Sequence, residues 1–270
     1  MVDYPVALSP SRAADYKKCP LSFRFAVIDK LPQALKPHLL KGTLVHSVLE
    51  DTLALAPSER TYPAAVKKIV PAFNAALAHD PRVDELIPDA DREDFFIQCR
   101  DLIKGYFEME NPQGLVDGER ELFISLTIPG VDGNEVPLRG IIDRVDINPK
   151  GQVRIVDYKT GKKPSTFTEQ KYLEQLQFYA LVWWRTRGVI PAELKLMFLG
   201  PRHNFVAHPT QAELEQTEQR LASLWASIEA DGRAGSFAPR QSKLCDWCDY
   251  QAYCPIFGGT PPEYPGWPNG

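Results

Sequence analysis

The chain of 270 residues has no apolar run that approaches the 18 or more residues of a membrane-spanning helix. Its first residues, Met1 to Pro5, lack the charged and then apolar segments of a secretory signal. It has no Gly-x-x-x-x-Gly-Lys-Ser/Thr loop, which argues against a nucleotide-driven motor. We therefore expect a soluble, cytoplasmic protein with no membrane partner.

Cysteine is scarce, and its distribution is uneven. There are five cysteines, an odd number, and three of them form the pattern Cys245-x2-Cys248-x5-Cys254. This argues against an extracellular disulfide framework and favours metal ligation in a reducing compartment. Cys19 is the remote candidate for a fourth ligand, and Cys99 is predicted to be a spare, buried residue. Four thiolates suit zinc or an iron-sulfur cluster, and spacing alone slightly favours zinc.

The formal net charge of −4 gives no overall attraction to nucleic acid. Positive charge is nevertheless concentrated in two segments. Seven basic residues face two acids between residues 12 and 41, namely Arg12, Lys17, Lys18, Arg24, Lys30, Lys36 and Lys41. The segment 150–163 has five basic residues, including the pair Lys162 and Lys163, against one acid. Most such runs are solvated helix faces, so the asymmetry alone does not decide a function.

Periodicity predicts a helical first part of the chain. Ser9-Pro10-Ser11 is a typical helix start, with a hydroxyl cap before proline at the first helical position. We predict helices at 10–28, 38–55, 62–79 and 91–110, and residues 1–110 are then mainly helical.

Alternating apolar residues predict a sheet in the second part. Strands are predicted at 122–128, 138–147, 152–157 and 194–199, with helices at 169–187 and 211–230. The whole chain is then one α+β domain, with a core at 111–230 and a cysteine-bearing tail at 231–270 that closes on Cys19.

Two aspartates and a lysine are the strongest candidates for chemistry. Asp157 and Lys159 are two apart on a predicted strand and so project from one face. If the strand that carries Asp143 pairs with the strand that carries Asp157, the two carboxylates meet beside the Lys159 ammonium. A divalent cation between two such carboxylates usually offsets their repulsion. Magnesium or manganese held there suits phosphodiester hydrolysis. The simpler interpretation of Asp-x-Lys is a surface ion pair.

Two pairs of polar residues on predicted helices are further candidates for the site. His46 and Glu50 are four apart on a predicted helix, as are Gln175 and Tyr179, so each pair shares a face. Taken alone, each pair is more simply explained as part of a hydrogen-bonded interior.

Together these motifs resemble the RecB-like branch of the PD-(D/E)XK nucleases, which includes the RecB and AddB nuclease domains and the CRISPR-associated iron-sulfur exonucleases. The matching motifs, in family order, are Gly42–Glu50, Gly140–Asp146, Asp157–Gly161 and Gln175–Tyr179. The resemblance extends from Leu8 to Cys254, although Ile142 stands where the family name has proline. It implies a restriction-endonuclease-like core, a mixed central sheet flanked by helices.

The resemblance also implies roles. The divalent-metal ligands would be His46, Asp143, Asp157 and the Tyr158 carbonyl. Lys159 would be catalytic, and Gln175 and Tyr179 would contact DNA or support the site. A further family glutamate corresponds to Glu121 or to Glu119. The one-plus-three cysteines hold a [4Fe-4S] cluster in this family, which reverses the preference for zinc at Cys19, Cys245, Cys248 and Cys254.

The expected function is that of a Mg2+- or Mn2+-dependent deoxyribonuclease in DNA repair or recombination, an exonuclease on single-stranded DNA. We expect a monomer, with helicase or repair proteins as possible partners. The alternative is a non-catalytic nucleic-acid-binding module in which the cluster is a structural staple; a zinc-ligated regulatory protein is a third interpretation.

Overall fold

The computed structural model describes residues 6–115, 118–162 and 166–268, and only the backbone for 166–170. It contains a five-stranded sheet between two layers of helices. The helices of six or more residues are α1 (Pro10–Lys18), α3 (Pro37–Leu53), α5 (Ile69–His79), α7 (Asp89–Met109), α8 (Thr166–Arg187) and α9 (Gln211–Ala234). Shorter ones are α2 (Pro20–Phe23), α4 (Tyr62–Val66) and α6 (Arg82–Leu86). In the described part of the chain, no helix is both long and apolar enough to span a membrane.

The predicted helix at 10–28 is wrong as one continuous element. It ends at Lys18, resumes as α2, and continues as a π-helical turn over Arg24–Ile28. The break is at Cys19, which is extended because a following proline, Pro20, disfavours the helical conformation of the residue before it. The break separates the Cys19 thiol from the helix and leaves it beside the C-terminal tail.

The sheet has the order β1-β2-β3-β4-β5. Its strands are β1 (Glu119–Pro129), β2 (Glu135–Ile147), β3 (Val153–Lys159), β4 (Glu193–Phe198) and β5 (His203–Ala207). Among the described strands only the β3–β4 pair is parallel, with α8 as its crossover, so the sheet is mixed as predicted. The sequence prediction lacked β5 and α6, and it joined α4 and α5 into one helix. β5 is a short, half-buried edge strand with a weak apolar pattern.

The predicted pairing of the strands that carry Asp143 and Asp157 is confirmed. β2 and β3 form an antiparallel hairpin, and the turn between them uses Gly151 at φ 75°, a left-handed conformation that suits glycine. Pairing runs from Ile147↔Val153 up to Arg144↔Val156. Beyond this point β3 follows β4, whereas β2 continues beside Leu8, which bridges to Leu138. The two strands therefore separate just at the aspartates.

Each face of the sheet is covered by its own apolar cluster. α1, α8 and α9 pack on one face, where the core includes Ile155 and Leu196. α3, α5 and α7 pack on the other face, where it includes Val156 and Tyr158. Because successive side chains of β3 alternate between these layers, Asp157 and Lys159 face α8.

Alternation is interrupted in β2 at Asp143. Ile142 and Val145 both belong to the α8-side core although they are three residues apart, whereas Arg144 is buried among residues of the opposite layer. The residue opposite Asp143 in the extended β1–β2 register is Glu121, and its φ is 42°. Such a conformation is uncommon for a non-glycine residue and costs about 1–3 kcal/mol. The side chains of β2 therefore switch between the two helical layers at the row of the sheet that contains Glu121 and Asp143.

Candidate active site

Three acids lie in one row across three neighbouring strands. Extending the pairing registers puts Glu121 opposite Asp143 and Asp143 opposite Asp157. The strands have separated at the last pair, and an Asp143 carboxylate oxygen accepts a hydrogen bond from the Tyr158 backbone N–H at 2.7 Å. The side chain of Asp143 thereby fills the gap between β2 and β3.

His46 of α3 completes the cluster from the opposite layer. One ligand atom each from His46, Glu121 and Asp143 lie within 4.8 Å of one another. His46 Nδ1 is 3.4 Å from Asp143 Oδ2, and Nε2 is 3.1 Å from the Tyr158 carbonyl oxygen. A histidine that donates one ring N–H to a backbone carbonyl presents its other nitrogen as a metal ligand. With Nε2–H donated to Tyr158, the free nitrogen is Nδ1, and it faces the carboxylates.

The charges of this cluster fit a cation. Burial, followed by the negative charge of Asp143, raises the pKa of Glu121 to about 7. Burial also raises the pKa of Asp157; the neighbouring Lys159 opposes the rise and Asp143 adds to it. Burial disfavours the imidazolium of His46, but Asp143, Asp157 and Glu121 outweigh this and raise its pKa. A hard divalent ion would relieve this excess of negative charge, and imidazole with carboxylates is a suitable ligand set for manganese or magnesium.

Lys159 lies on the α8 side of the same row. Its Nζ is 2.6 Å from Asp157 Oδ2 and donates to Gln175 Oε1 at 2.9 Å. Gln175 in turn donates to Asp157 Oδ1 at 2.8 Å and to the Tyr179 hydroxyl at 3.2 Å. Burial disfavours the charged amine, but Asp157 outweighs it and raises the pKa of Lys159. As an ammonium, Lys159 can offset developing negative charge.

Two residues that the sequence prediction missed complete this side. Tyr172 lies one turn before Gln175 on α8, and the Lys159 ammonium is 5.5 Å from the centre of its ring. The helical spacing of Tyr172, Gln175 and Tyr179 is the signal that could have identified it. Gly140 is the other, since its motif assigned it no role of its own: a Cβ there would lie 3.0 Å from Tyr179 Cε1, so the close approach of α8 to β2 favours glycine.

A buried charge network supports the row from below. Arg144, whose side chain is 3% exposed, makes a bidentate pair with Glu110 at 2.7 and 3.0 Å. It also donates to the Tyr158 hydroxyl at 2.8 Å and pairs with Asp146 at 3.0 Å. Because Tyr158 contacts both Asp143 and His46 through its backbone, this network holds the peptide on which the candidate ligands depend.

The structure brings most of the predicted site residues together. Of the two candidate glutamates, Glu121 lies in the cluster, and Glu119 lies 3.6 Å from Arg187. The predicted metal-binding carbonyl of Tyr158 accepts from His46, and an oxygen with two lone pairs can still bind a second group. Asp157 is outside the tightest trio and contacts Lys159 and Gln175 instead. Lys163 of the predicted basic pair lies outside the described residues.

Four of the five cysteines line one pocket beside the break between α1 and α2. Backbone N–H groups of Arg240 and Ser242 point at the sulfurs of Cys19 and Cys245, at 3.4 and 3.3 Å. The fifth, Cys99, is 1% exposed in the helical core, and burial raises the pKa of its thiol to about 11. All five are free thiols in the structure.

Comparison with known protein families identifies the superfamily to which this chain belongs. Residues 7–255 match the PD-(D/E)XK nuclease superfamily. The chain belongs to that superfamily. Its members use divalent metals, and the His46–Glu121–Asp143 cluster is the corresponding candidate site in this member.

Individual relatives are distant. The chain is 24% identical to the Gene 69 protein of Mycobacterium phage D29, over 92% of this chain and 96% of that protein. It is 29% identical to the Gene 69 protein of Mycobacterium phage L5 over 153 residues, which span 56% of this chain and about half, 47%, of that protein. A crystal structure of a "putative exonuclease" from Eubacterium rectale has a TM-score of 0.59 at 13% identity, covering 90% of this chain and 87% of that one. At this identity the structural similarity shows a shared fold.

Proposed function

We propose that this superfamily member is a Mg2+- or Mn2+-dependent exodeoxyribonuclease of the RecB-like branch, acting on single-stranded DNA ends in repair or recombination. The observation that carries the proposal is the convergence of His46, Glu121 and Asp143 within 4.8 Å, next to the Lys159–Asp157 pair. An ion bound by this trio would act as a Lewis acid toward the phosphate and lower the pKa of bound water.

The protein side chains divide the remaining work. Glu121, Asp143 and His46 would bind the ion, and Asp157 and the Tyr158 carbonyl lie next to them. Lys159, held by Gln175, would neutralise charge as the phosphodiester bond is cleaved. Tyr179 holds Gln175 through its hydroxyl and so positions the lysine indirectly.

The direct test is degradation of end-labelled single-stranded and double-stranded DNA in the presence of Mg2+, Mn2+ or a chelator. Asp157→Ala and Lys159→Ala are expected to lose cleavage, and Lys67→Ala, an exposed lysine outside both basic segments, serves as the control. Equal cleavage by wild type and both site variants rejects the assignment. A non-catalytic binding module, the alternative, predicts that the wild-type chain cleaves nothing with any metal and that Lys159→Ala binds DNA undiminished.

We also propose a [4Fe-4S] cluster on Cys19, Cys245, Cys248 and Cys254. The four thiols line one pocket beside the break between α1 and α2. Four thiolates suit either zinc or an iron-sulfur cluster. The resemblance of the one-plus-three cysteine distribution to that of the RecB-like nucleases is what favours the cluster. The N–H groups of Arg240 and Ser242 would donate to the ligating sulfurs, a contact that tunes cluster potentials.

The cluster proposal has its own test, which is independent of nuclease activity. An anaerobic preparation of the full chain should be brown, with broad absorbance in the visible range, and contain about four irons per protein. Cys248→Ser should lose the iron, and Cys99→Ser should retain it because Cys99 lies in the other core. A colourless anaerobic preparation with stoichiometric zinc contradicts the proposal.

A further inference from the structure

The outer face of the β1–β2 hairpin carries an unusual combination of side chains. Phe123 and Ile141 are directly paired across the two strands and are 63% and 48% exposed. The next row away from the site pairs Ser125 with Arg139. Directly opposed residues of an antiparallel pair project from the same face, so the phenyl ring and the guanidinium share one surface.

This surface is continuous with the acid row. Phe123 follows Glu121 by two residues on β1, and Ile141 precedes Asp143 by two residues on β2. A strand rises about 3.3–3.4 Å per residue, so the Phe123–Ile141 row lies about 7 Å from the acids and the Arg139 row about 14 Å. That length corresponds to about four nucleotides stacked at the 3.4 Å spacing of a duplex strand.

The surface also has positive charge that no acid neutralises. Among the described residues, Arg139 has neither an ion-pair partner nor a side-chain hydrogen bond. The Arg139 backbone N–H donates to the Leu8 carbonyl at 2.8 Å, four residues before Arg12 of α1. Burial, followed by the charge of Arg139, lowers the pKa of Arg12. Among the described residues, the Arg12 guanidinium donates only to the nearby Ala7 carbonyl, at 3.0 Å. Two guanidiniums that repel each other and lack a carboxylate are suited to an anionic ligand.

We propose that Phe123, Ile141 and Arg139, with Arg12, bind single-stranded polynucleotide next to the cleavage site, the ring stacking on a base and the guanidiniums contacting phosphates. This deepens the proposed nuclease function and rests on it. Base stacking on an exposed aromatic residue combined with cations that contact the backbone is the general mode of sequence-independent single-strand binding. The charge and the continuity with the acid row favour a polyanion over a protein segment as the occupant.

Binding is measured by fluorescence anisotropy with a labelled oligothymidylate, on the full chain carrying Lys159→Met, with Mn2+ present. Phe123→Ala is expected to weaken binding about 5- to 140-fold, from the 1–3 kcal/mol of one stacked base. Phe123→Trp should bind like Phe123. Arg139→Gln should reduce the slope of log affinity against log salt by about 0.7, the loss of one phosphate contact to a single strand.

Controls come from exposed residues elsewhere on the surface. Val206→Ala removes an exposed apolar side chain from β5, and Arg82→Gln removes an exposed guanidinium from α6. Both should leave the affinity unchanged. Circular dichroism melts of each variant exclude unfolding as the cause, and an oligonucleotide with abasic sites should erase the difference between Phe123 and Phe123→Ala.

The outcomes separate this inference from the proposed function. If Phe123→Ala and Arg139→Gln bind within twofold of the two controls, the surface is not a nucleic-acid site and the inference is wrong, whatever the chain cleaves. If the variants weaken binding but the chain without Lys159→Met cleaves no DNA with any metal, the nuclease proposal fails and the binding surface stands. A partner protein that docks on Phe123 would give the first result.

Discussion

The charge of Glu121 is costly in the metal-free protein, and the neutral isostere of Glu121 gives a sharp prediction. Its pKa rises from an ordinary 4.5 to about 7 because of burial and the charge of Asp143. At 1.36 kcal/mol per pKa unit this corresponds to about 3 kcal/mol. Solvent screening at a partly exposed side chain reduces the effect to about 1–2 kcal/mol. Glu121→Gln removes the charge and keeps the length and the left-handed backbone conformation.

The direction of the pH effect follows from proton binding. In a chelator, the unfolded chain releases the Glu121 proton near pH 4.5 and the folded chain near pH 7. The unfolded state binds fewer protons between these values, so the contribution of Glu121 to the free energy of unfolding falls as pH rises through this window. The Glu121→Gln variant has no carboxylate at this position, so this decrease in the free energy of unfolding does not occur in it. At about pH 8 the variant should be more stable than wild type by about 1–2 kcal/mol, and the difference should narrow toward pH 5.

Added Mn2+ should make wild type more stable than Glu121→Gln. An ion at a hundredfold excess over its dissociation constant stabilises the folded state by about 2.7 kcal/mol. Wild type should gain this, and Glu121→Gln should gain less at the same concentration because it lacks one ligand. The assay is urea unfolding followed by circular dichroism, with chelator and with Mn2+, across the pH range.

Glu119→Gln is the matched control for this series. Glu119 lies two residues away on the same strand, is 39% exposed and pairs loosely with Arg187 at 3.6 Å. Its neutralisation should change stability by less than about 0.5 kcal/mol at any pH. The reasoning is refuted if Glu121→Gln is no more stable than wild type in chelator at about pH 8, or if Glu119→Gln behaves identically.

Three further predictions concern the supporting residues. Arg144→Met should lower the free energy of unfolding by about 3–5 kcal/mol, because it removes the bidentate partner of the buried Glu110 carboxylate and leaves that carboxylate the weaker contact with Lys195 at 3.5 Å; adding Glu110→Gln should recover part of that loss in a double-mutant cycle, and simple additivity would contradict the coupling. Gln175→Leu should slow DNA cleavage and leave Mn2+ affinity by calorimetry unchanged, since it removes one of the two polar partners that hold Lys159 but touches none of the trio; an equal loss of Mn2+ affinity would oppose this. Cys99→Ala should cost less than about 2 kcal/mol in urea unfolding, as a small cavity does.

The sequence was sufficient for the parts of the site that depend on regular geometry. Strand alternation predicted that Asp157 and Lys159 share a face, and they meet at 2.6 Å. Helical spacing predicted that Gln175 and Tyr179 share a face, and they hydrogen bond at 3.2 Å. These follow from local periodicity, which the sequence carries directly.

The irregular parts were not predictable in this way. The change of face at Glu121 and Asp143 depends on a positive φ at a glutamate, and no local preference of that residue predicts it. The helix at 10–28 ends early because Pro20 has more influence on Cys19 than the apolar periodicity has. The meeting of His46 with Asp143 depends on how α3 packs against the sheet, a long-range contact that no window of sequence contains.

The change of face also limits where a polymer can go. On one side of the acid row the sheet is roofed by α3 and α7, and Arg144 lies deep beneath them; on the other side Phe123 and Ile141 are open to solvent. If the proposed function is correct, a single strand on the open side would reach the carboxylates beside the end of the helical layer that contains α3 and α7. This arrangement would favour cleavage near the end of the strand.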